Sequence, residues 1–201
     1  MPQRRKWTNA QLAAIEHRKT ISAFVPVERT EPGGIFALDL SSSVGWAYGR
    51  VDDVQPLTGV WLLPRDKPHG ARFAAYENEL IDALARFQPG EVIMEAPMRL
   101  KAAATRSEAA ARHQIGLAAY TEGEWWRHAG QPTYEADVNA VRLNVLGQCR
   151  WPSRDEVKPA IVSWCRDMGW NITDHNAGDA AVLWWYRRCM LLDSRSRRRA
   201  A

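Results

Sequence analysis

Three acidic residues stand at points of the chain where a sheet would bring carboxylates together. Asp39 ends one apolar run, Glu95 ends another, and Asp179 lies near the start of an apolar helical stretch. A carboxylate at the end of a buried strand is costly unless a cation neutralises it. Hard oxygen ligands are what Mg²⁺ prefers, and Mn²⁺ accepts the same ligands. The three acids therefore predict a magnesium site in which Mn²⁺ can substitute.

The elements predicted around these acids would deliver them to one edge of a sheet. Residues 35 to 63 predict a meander of three antiparallel strands, the first of which ends at Asp39. A helical pattern over about residues 71 to 87 then leads to the strand that ends at Glu95. A strand, a helix and a further strand form a parallel crossover, which lays the Glu95 strand beside the Asp39 strand. The two carboxylates can then meet.

With these elements in place, the chain resembles the RuvC-like Holliday junction resolvases of the RNase H-like superfamily, particularly their divergent phage and prophage members. The resemblance spans roughly residues 34 to 192. It rests on Leu38-Asp39-Leu40-Ser41 with Gly45-Trp46-Ala47, on Ile93-Met94-Glu95-Ala96-Pro97, on the helical stretch from Arg106 to Arg127 with Gly116, and on Asn176-Ala177-Gly178-Asp179-Ala180. It implies an α/β fold with a mixed five-stranded sheet, an antiparallel meander followed by parallel strands, flanked by helices.

The resemblance also implies an activity. Members of this family are metal-dependent endonucleases that cleave branched DNA, so it implies a Holliday junction endodeoxyribonuclease acting by two-metal phosphodiester hydrolysis. Asp39, Glu95 and Asp179 match the family's catalytic metal ligands. A homodimer is implied because a four-way junction has two strands to cut symmetrically. The expected partner is branched DNA, with no nucleotide cofactor.

The chain departs from the family pattern at the fourth ligand. Relatives usually carry Asp or His three residues before the final Asp, whereas this chain has Asn176 there and His175 one residue earlier. An Asn carbonyl can bind magnesium but adds no charge. We expect Asn176 to be a metal ligand, His175 to complete the site or orient the water, and Asp174 to act as the N-cap of the helix.

Cations near the acids predict the DNA-binding surface, because a phosphate held at the metals brings neighbouring phosphates with it. Four of them follow Glu95, and the fifth lies on a later predicted helix: Arg99, Lys101, Arg106, Arg112 and Lys158. The alternative is an ordinary polar helix surface, with Glu108 as an intrahelical partner and Lys158 facing solvent.

The charge distribution suggests basic arms at both ends of a single domain. The chain has a net charge of +4. Residues 1 to 6 and 194 to 201 supply seven positive charges, so the body between them is net acidic. We assign residues 1 to 33 to a basic arm and linker, 34 to 192 to the resolvase-like domain, and 193 to 201 to a basic tail. Such arms bind phosphates through counterion release, or serve only as solubility tails.

Other features set limits on the function. No apolar run is long enough to cross a bilayer, so we expect a cytoplasmic protein with no membrane partner.

The cysteines, histidines and tryptophans suggest no further site. Cys149, Cys165 and Cys189 lack zinc-like spacing and predict reduced packing residues. The histidines at 17, 69, 113 and 128 form no metal-ligand pattern and are interpreted as background. Each tandem tryptophan pair, at 125–126 and at 184–185, predicts one core ring and one less buried ring.

Two functions from other classes compete with the nuclease. An ATP-binding enzyme of the sugar-kinase and actin superfamily would share the core strands and the Ser-rich turn after Asp39, but that fold needs two lobes and this chain has room for one. A non-catalytic protein that binds branched DNA or takes part in DNA packaging on the same scaffold is favoured by the neutral Asn176.

Overall fold

The computed structural model describes residues 33 to 97, 105 to 151 and 153 to 200. The strands are β1 (Ile35–Asp39), β2 (Ser43–Gly49), β3 (Leu57–Leu62), β4 (Glu91–Glu95) and β5 (Tyr134–Ala136). The helices are α1 (His69–Phe87), α2 (Thr105–Ala129), α3 (Val138–Leu146), α4 (Arg154–Asp167) and α5 (His175–Ala200). Residues 1 to 32 of the proposed basic arm lie outside the described residues, whereas residues 193 to 200 continue α5.

The five strands form one mixed sheet in the order β3-β2-β1-β4-β5. β2 is antiparallel to both β1 and β3, while β4 is parallel to β1 and β5 is parallel to β4. The predicted α/β fold, a meander followed by parallel strands, is confirmed. Because four strands run the same way, β1, β3, β4 and β5 all end at one edge of the sheet, which we call the carboxyl edge.

Side-chain alternation along the strands divides the core into two layers. Phe36, Leu38 and Met94 belong to the layer that contains residues of α1 and α2. Ala37 and Ile93 belong to the opposite layer, with residues of α3, α4 and α5. Asp39 and Glu95 each come two residues after a member of this second layer, so both continue the sheet face that α5 covers. Leu38 pairs with Met94, which places Asp39 and Glu95 side by side.

Close contacts with β2 fix α5 lengthwise on the sheet. A Cβ on Gly45 would lie 1.9 Å from the backbone oxygen of Asn176, so β2 and the start of α5 approach at the limit of backbone contact. Farther along, the Trp184 indole N–H donates to the Gly49 carbonyl at 2.9 Å. Four strand residues and eight helix residues both span about 12 to 13 Å, so the two contacts share one register.

An ion pair with β4 fixes the same register. Arg187 of α5 donates to both carboxylate oxygens of Glu91, at 2.9 and 2.8 Å. Glu91 lies four strand residues before Glu95, and Arg187 lies eight helix residues after Asp179. Both stretches are about 12 to 13 Å long, so the ion pair at one end brings Asp179 towards Glu95 at the other. The ion pair therefore helps to align the two acids.

The start of α5 is capped as the sequence predicts. The Asp174 carboxylate accepts hydrogen bonds from the backbone N–H groups of Asn176, at 2.7 Å, and Ala177, at 3.2 Å. The Asp174 carbonyl accepts a third, from Gly178, at 2.9 Å. The first two bonds satisfy N–H groups that a helix start otherwise leaves unpaired, and the third is the first regular hydrogen bond of the helix.

Both tryptophans of the second tandem pair are buried, contrary to the sequence interpretation. Trp184 is 0% exposed and Trp185 is 1% exposed, because α5 is covered by the sheet on one side and by Trp164 and Trp170 on another. In the first pair, Trp125 is buried and Trp126 is 58% exposed, as predicted. The three cysteines are free thiols.

The described residues form a single sheet with its flanking helices, so they contain one lobe of the kind that a kinase or actin fold would need twice. Within the same residues, no helix combines the length and apolar character needed to cross a membrane.

The packing at Gly45 yields a stability prediction. Gly45→Ala should destabilise the protein by about 1 to 3 kcal/mol, because the added methyl group cannot fit against the Asn176 backbone without moving the start of α5. Urea denaturation followed by circular dichroism measures the effect. The matched control is Gly123→Ala in α2, where the nearest atom to the new Cβ is 3.9 Å away, and this change should stabilise slightly. Equal stability of the two variants would contradict the close contact.

The cap yields a second prediction. Asp174→Ala should cost about 1 kcal/mol of unfolding free energy, because the backbone N–H groups of Asn176 and Ala177 lose their acceptor. Asp174→Asn should stay close to the wild type, since an Asn side chain also caps helices. Denaturation curves measured side by side test this, and a loss of the same size in both variants would show that the charge, rather than the cap, stabilises the helix.

Candidate active site

A cavity of about 380 Å³ lies at the carboxyl edge, between the ends of β1 and β4 and the start of α5. We call it the acidic cavity. It is lined by Asp39, Ser41, Ser42, Ser43, Arg65, Glu95, Arg142, Val157, Lys158, His175, Asn176 and Asp179. The fold thus brings together residues that are as far apart in the chain as Asp39 and Asp179.

The five residues that the sequence proposes as catalytic or metal-binding all line this cavity: Asp39, Glu95, His175, Asn176 and Asp179. Each of the five is half-buried, as expected for groups that must meet a ligand from solvent. Each of the three acids also makes a hydrogen bond, ion pair or electrostatic contact within the protein. Asp174 does not line the cavity, in keeping with its role as the cap.

The predicted DNA-binding residues have different outcomes. Lys158 is exposed and lines the acidic cavity. Arg112 lies on α2 outside this lining and pairs with Glu108 four residues earlier, which is the alternative that the sequence left open. Arg99, Lys101 and the side chain of Arg106 lie outside the described part of the chain, so their role in DNA binding stays a prediction.

Cationic side chains line the acidic cavity as well as acidic ones. Arg65, Arg142 and Lys158 line it together with the three carboxylates, so positive and negative side chains are balanced in number. Arg65 donates to the Ser43 hydroxyl at 2.9 Å, which anchors its guanidinium near the end of β1. The Nε of Arg142 is buried and has no hydrogen-bond partner among the described residues. A cavity with both kinds of charge offers carboxylate oxygens to metal cations and cationic groups to phosphate oxygens.

The donor set of the acidic cavity fits magnesium in its chemistry. Three carboxylates and an amide carbonyl are hard oxygen ligands of the kind that Mg²⁺ prefers, and Mg²⁺ usually keeps several waters. Within the described residues, however, no three His, Cys, Asp or Glu side chains are close enough together to hold a metal ion. The carboxylates share a cavity but would have to converge further to share an ion.

A buried thiol lies beside the acidic cavity. Burial raises the pKa of Cys165 to about 12, and the negative charge of Asp179 adds to the rise. The thiol of Cys165 therefore stays protonated near neutral pH and does not supply a thiolate ligand or nucleophile.

Two arginines in this lining, Arg65 and Arg142, were missed by the sequence analysis. Arg65 follows β3, and β3 ends at the carboxyl edge because Leu62 pairs with Ser43 at the start of β2. Arg142 lies in the second turn of α3, which begins directly after β5 at the same edge. In both cases the signal was present in the strand order, since a loop or helix that follows a strand ending at this edge must lie near the acids.

Two histidines that the sequence analysis treated as background also lie near the acids. His69 and His113 line a second cavity, which shares Asp39 and Glu95 with the first. Neither is paired with a cysteine or an acid in the sequence, and only the packing of α1 on α2 brings them together, with ring centroids 5.8 Å apart.

Comparisons with known proteins bear on the fold. No protein-family model and no curated protein matches the sequence. Among solved structures, the chain is similar to Thermus thermophilus RuvC, with a TM-score of 0.59, 14% identity, and coverage of 81% of this chain and 96% of that one. RuvC of the same organism in complex with a Holliday junction substrate gives a TM-score of 0.60, again at 14% identity, over 81% and 95% of the two chains.

A third similar structure is the yeast mitochondrial Holliday junction resolvase Ydc2, with a TM-score of 0.50 and 11% identity, over 92% of this chain and 96% of that one. At such low identity the likeness concerns the backbone arrangement alone. The strand order β3-β2-β1-β4-β5 and the flanking helices are therefore those of a RuvC-like Holliday junction resolvase fold.

Proposed function

We propose that this protein is a metal-dependent, structure-selective endonuclease that cleaves branched DNA such as Holliday junctions. The observation that carries the proposal is the acidic cavity, which Asp39, Glu95 and Asp179 line together at the carboxyl edge of a resolvase-like sheet. A nuclease needs carboxylates that hold cations beside a phosphate, and it needs cationic side chains that hold the phosphate itself. Both sets line this one cavity.

Asp39, Glu95 and Asp179 would hold Mg²⁺, with Asn176 as a neutral fourth ligand and Mn²⁺ as a substitute. When bound, Mg²⁺ would supply Lewis-acid activation of the phosphodiester and of the attacking water. Asp39 is central, because β1 lies between β2 and β4 in the sheet. Glu95 then approaches from the neighbouring strand, and Asp179 from the helix that covers both.

The other lining residues would bind the strand and handle protons. Arg65, Arg142 and Lys158 would contact the scissile phosphate or its neighbours with charge-assisted hydrogen bonds. Hydrolysis adds water across the bond between phosphorus and the 3′-oxygen, and leaves a 3′-hydroxyl and a 5′-phosphate. His175, half-buried in the first turn of α5, would orient that water or accept its proton.

A homodimer is part of this proposal. A four-way junction presents two equivalent strands, and two copies related by a twofold axis would place one acidic cavity on each strand. The arginine-rich end of α5 and the basic N-terminal arm would add sequence-independent affinity for phosphates.

The central test uses charge-removing variants that keep side-chain volume. Asp39→Asn, Glu95→Gln and Asp179→Asn should each lower cleavage of a synthetic four-way junction in Mg²⁺ by at least about 100-fold, because each removes a ligand charge. Folding and junction binding should change little, since the lost charge also relieves repulsion among the acids when no metal is bound. Cleavage is measured by denaturing gel electrophoresis and binding by fluorescence anisotropy.

The matched control is Glu135→Gln, which removes an exposed carboxylate on β5 that does not line the acidic cavity. This variant should cut at the wild-type rate. A cavity variant that also cuts at the wild-type rate would exclude its residue from the site. A wild-type protein that binds junctions but cuts none in Mg²⁺ or Mn²⁺ would instead be a non-catalytic branched-DNA-binding protein.

A further inference from the structure

A second and larger cavity, of about 610 Å³, is also lined by Asp39 and Glu95. We call it the histidine cavity. It shares Ser41, Ser42 and Arg142 with the acidic cavity, in addition to the two acids. The rest of its wall comes from the end of β1 and from α1, α2 and α3: Leu40, His69, Arg72, Ala109, Ala110, His113, Gln114 and Val138.

His113 is the group in this cavity that the proposed nuclease chemistry leaves unexplained. Its side chain is buried, with the residue only 6% exposed, yet neither ring nitrogen has a hydrogen-bond partner among the described residues. Its ring stacks on Phe73, with centroids 5.5 Å apart and planes 17° apart. An unpaired buried polar group costs free energy. Because His113 lines the cavity, its two buried nitrogens offer a donor and an acceptor that would be satisfied by a ligand that reaches them.

The charge state of His113 indicates what kind of ligand would suit it. Burial lowers the pKa of the imidazole, and the nearby charges of His69 and Arg72 lower it further. Near neutral pH the ring is therefore neutral, with one nitrogen that donates and one that accepts. Such a pair matches the edge of a neutral heterocycle better than it matches a phosphate, which offers acceptors only.

The volume and lining of the cavity fit a nucleobase. Its volume lies within the range of about 300 to 1,000 Å³ that is usual for small-ligand sites, and Leu40, Ala110 and Val138 provide apolar surface for the faces of a ring. Because Arg142 lines both cavities, a base in the histidine cavity would leave its own phosphate near the acidic cavity. The unpaired Nε of Arg142 could donate to that phosphate.

We propose that the histidine cavity receives an unstacked nucleobase of the branched DNA, from a nucleotide next to the phosphate held in the acidic cavity, and that His113 hydrogen-bonds the edge of this base. The inference rests on the proposed function. Bases at a branch point suit such a pocket, because extruding a base costs least where pairing and stacking are already broken. The site would read base identity beside the cut.

The test places a fluorescent base at each position around the branch point of an immobile four-way junction. The probes are 2-aminopurine at purine positions and pyrrolocytosine at pyrimidine positions, and both brighten when they leave the stack. Binding is measured without divalent metal, so cleavage does not contribute. The wild type should brighten the probe at one position, and His113→Phe should reduce the population of inserted base roughly tenfold through the lost hydrogen bonds, with overall affinity little changed.

A second variant tests the cavity independently, in case His113→Phe does not fold. Ala110→Trp, on an exposed position of α2 that lines the histidine cavity, should block entry and abolish the same signal. The matched controls are Ala119→Trp and His128→Phe, which lie on exposed positions of α2 outside the cavity and should keep the wild-type signal.

The outcomes separate the two proposals. Junction binding in which no position brightens, or in which His113→Phe and Ala110→Trp keep the bright position, would overturn the base pocket and leave the proposed nuclease standing. A wild-type protein that binds no junction at all would overturn both.

Discussion

The register of helix α5 on the sheet is the constraint on which the candidate site depends. Gly45 lets the start of the helix touch β2, Trp184 bonds the far end of β2, and Arg187 pairs with Glu91 on β4. A slip of one helical residue would move Asp179 by about 1.5 Å and rotate it by about 100°. The acids of two strands and one helix line one cavity because these contacts share a single register.

The electrostatics of the site follow from that placement. Carboxylates at the ends of adjacent parallel strands repel one another, and Asp179 adds a third negative charge from above the same sheet face. The fold sets three cationic side chains against them, on the loop after β3 and on α3 and α4. These cationic side chains are long and bulky. A bound metal ion is small enough to lie between the carboxylates and to neutralise them there.

The sequence predicted what depends on local pattern. Alternation in β1 and β4 and the crossover between them determine that Asp39 and Glu95 meet, and the cap at Asp174 is a local signal as well. Arg65, Arg142 and His113 were missed because their positions depend on strand order and helix packing, which no short window of sequence contains. Trp184 and Trp185 were misjudged because α5 is covered on more than one side, whereas periodicity alone suggests one buried face.

The histidine cavity gives the site an asymmetry that the acids alone do not have. Besides the residues that the two cavities share, the acidic cavity is lined mainly by charged and polar side chains, whereas the histidine cavity adds several apolar ones. A nucleotide has the same division between its phosphate and its base. The proposed nuclease would thus bind a strand by both parts rather than by charge alone.

The most direct test of the central claim is to count metal ions rather than cut strands. Titration of the wild type and of Asp39→Asn with Mn²⁺, followed by electron paramagnetic resonance of the free ion, measures binding without DNA or catalysis. We predict that the wild type binds Mn²⁺ and that Asp39→Asn binds it at least about tenfold more weakly, because the central carboxylate is lost. Equal binding by the two proteins would contradict the claim that the acids at the carboxyl edge form a metal site.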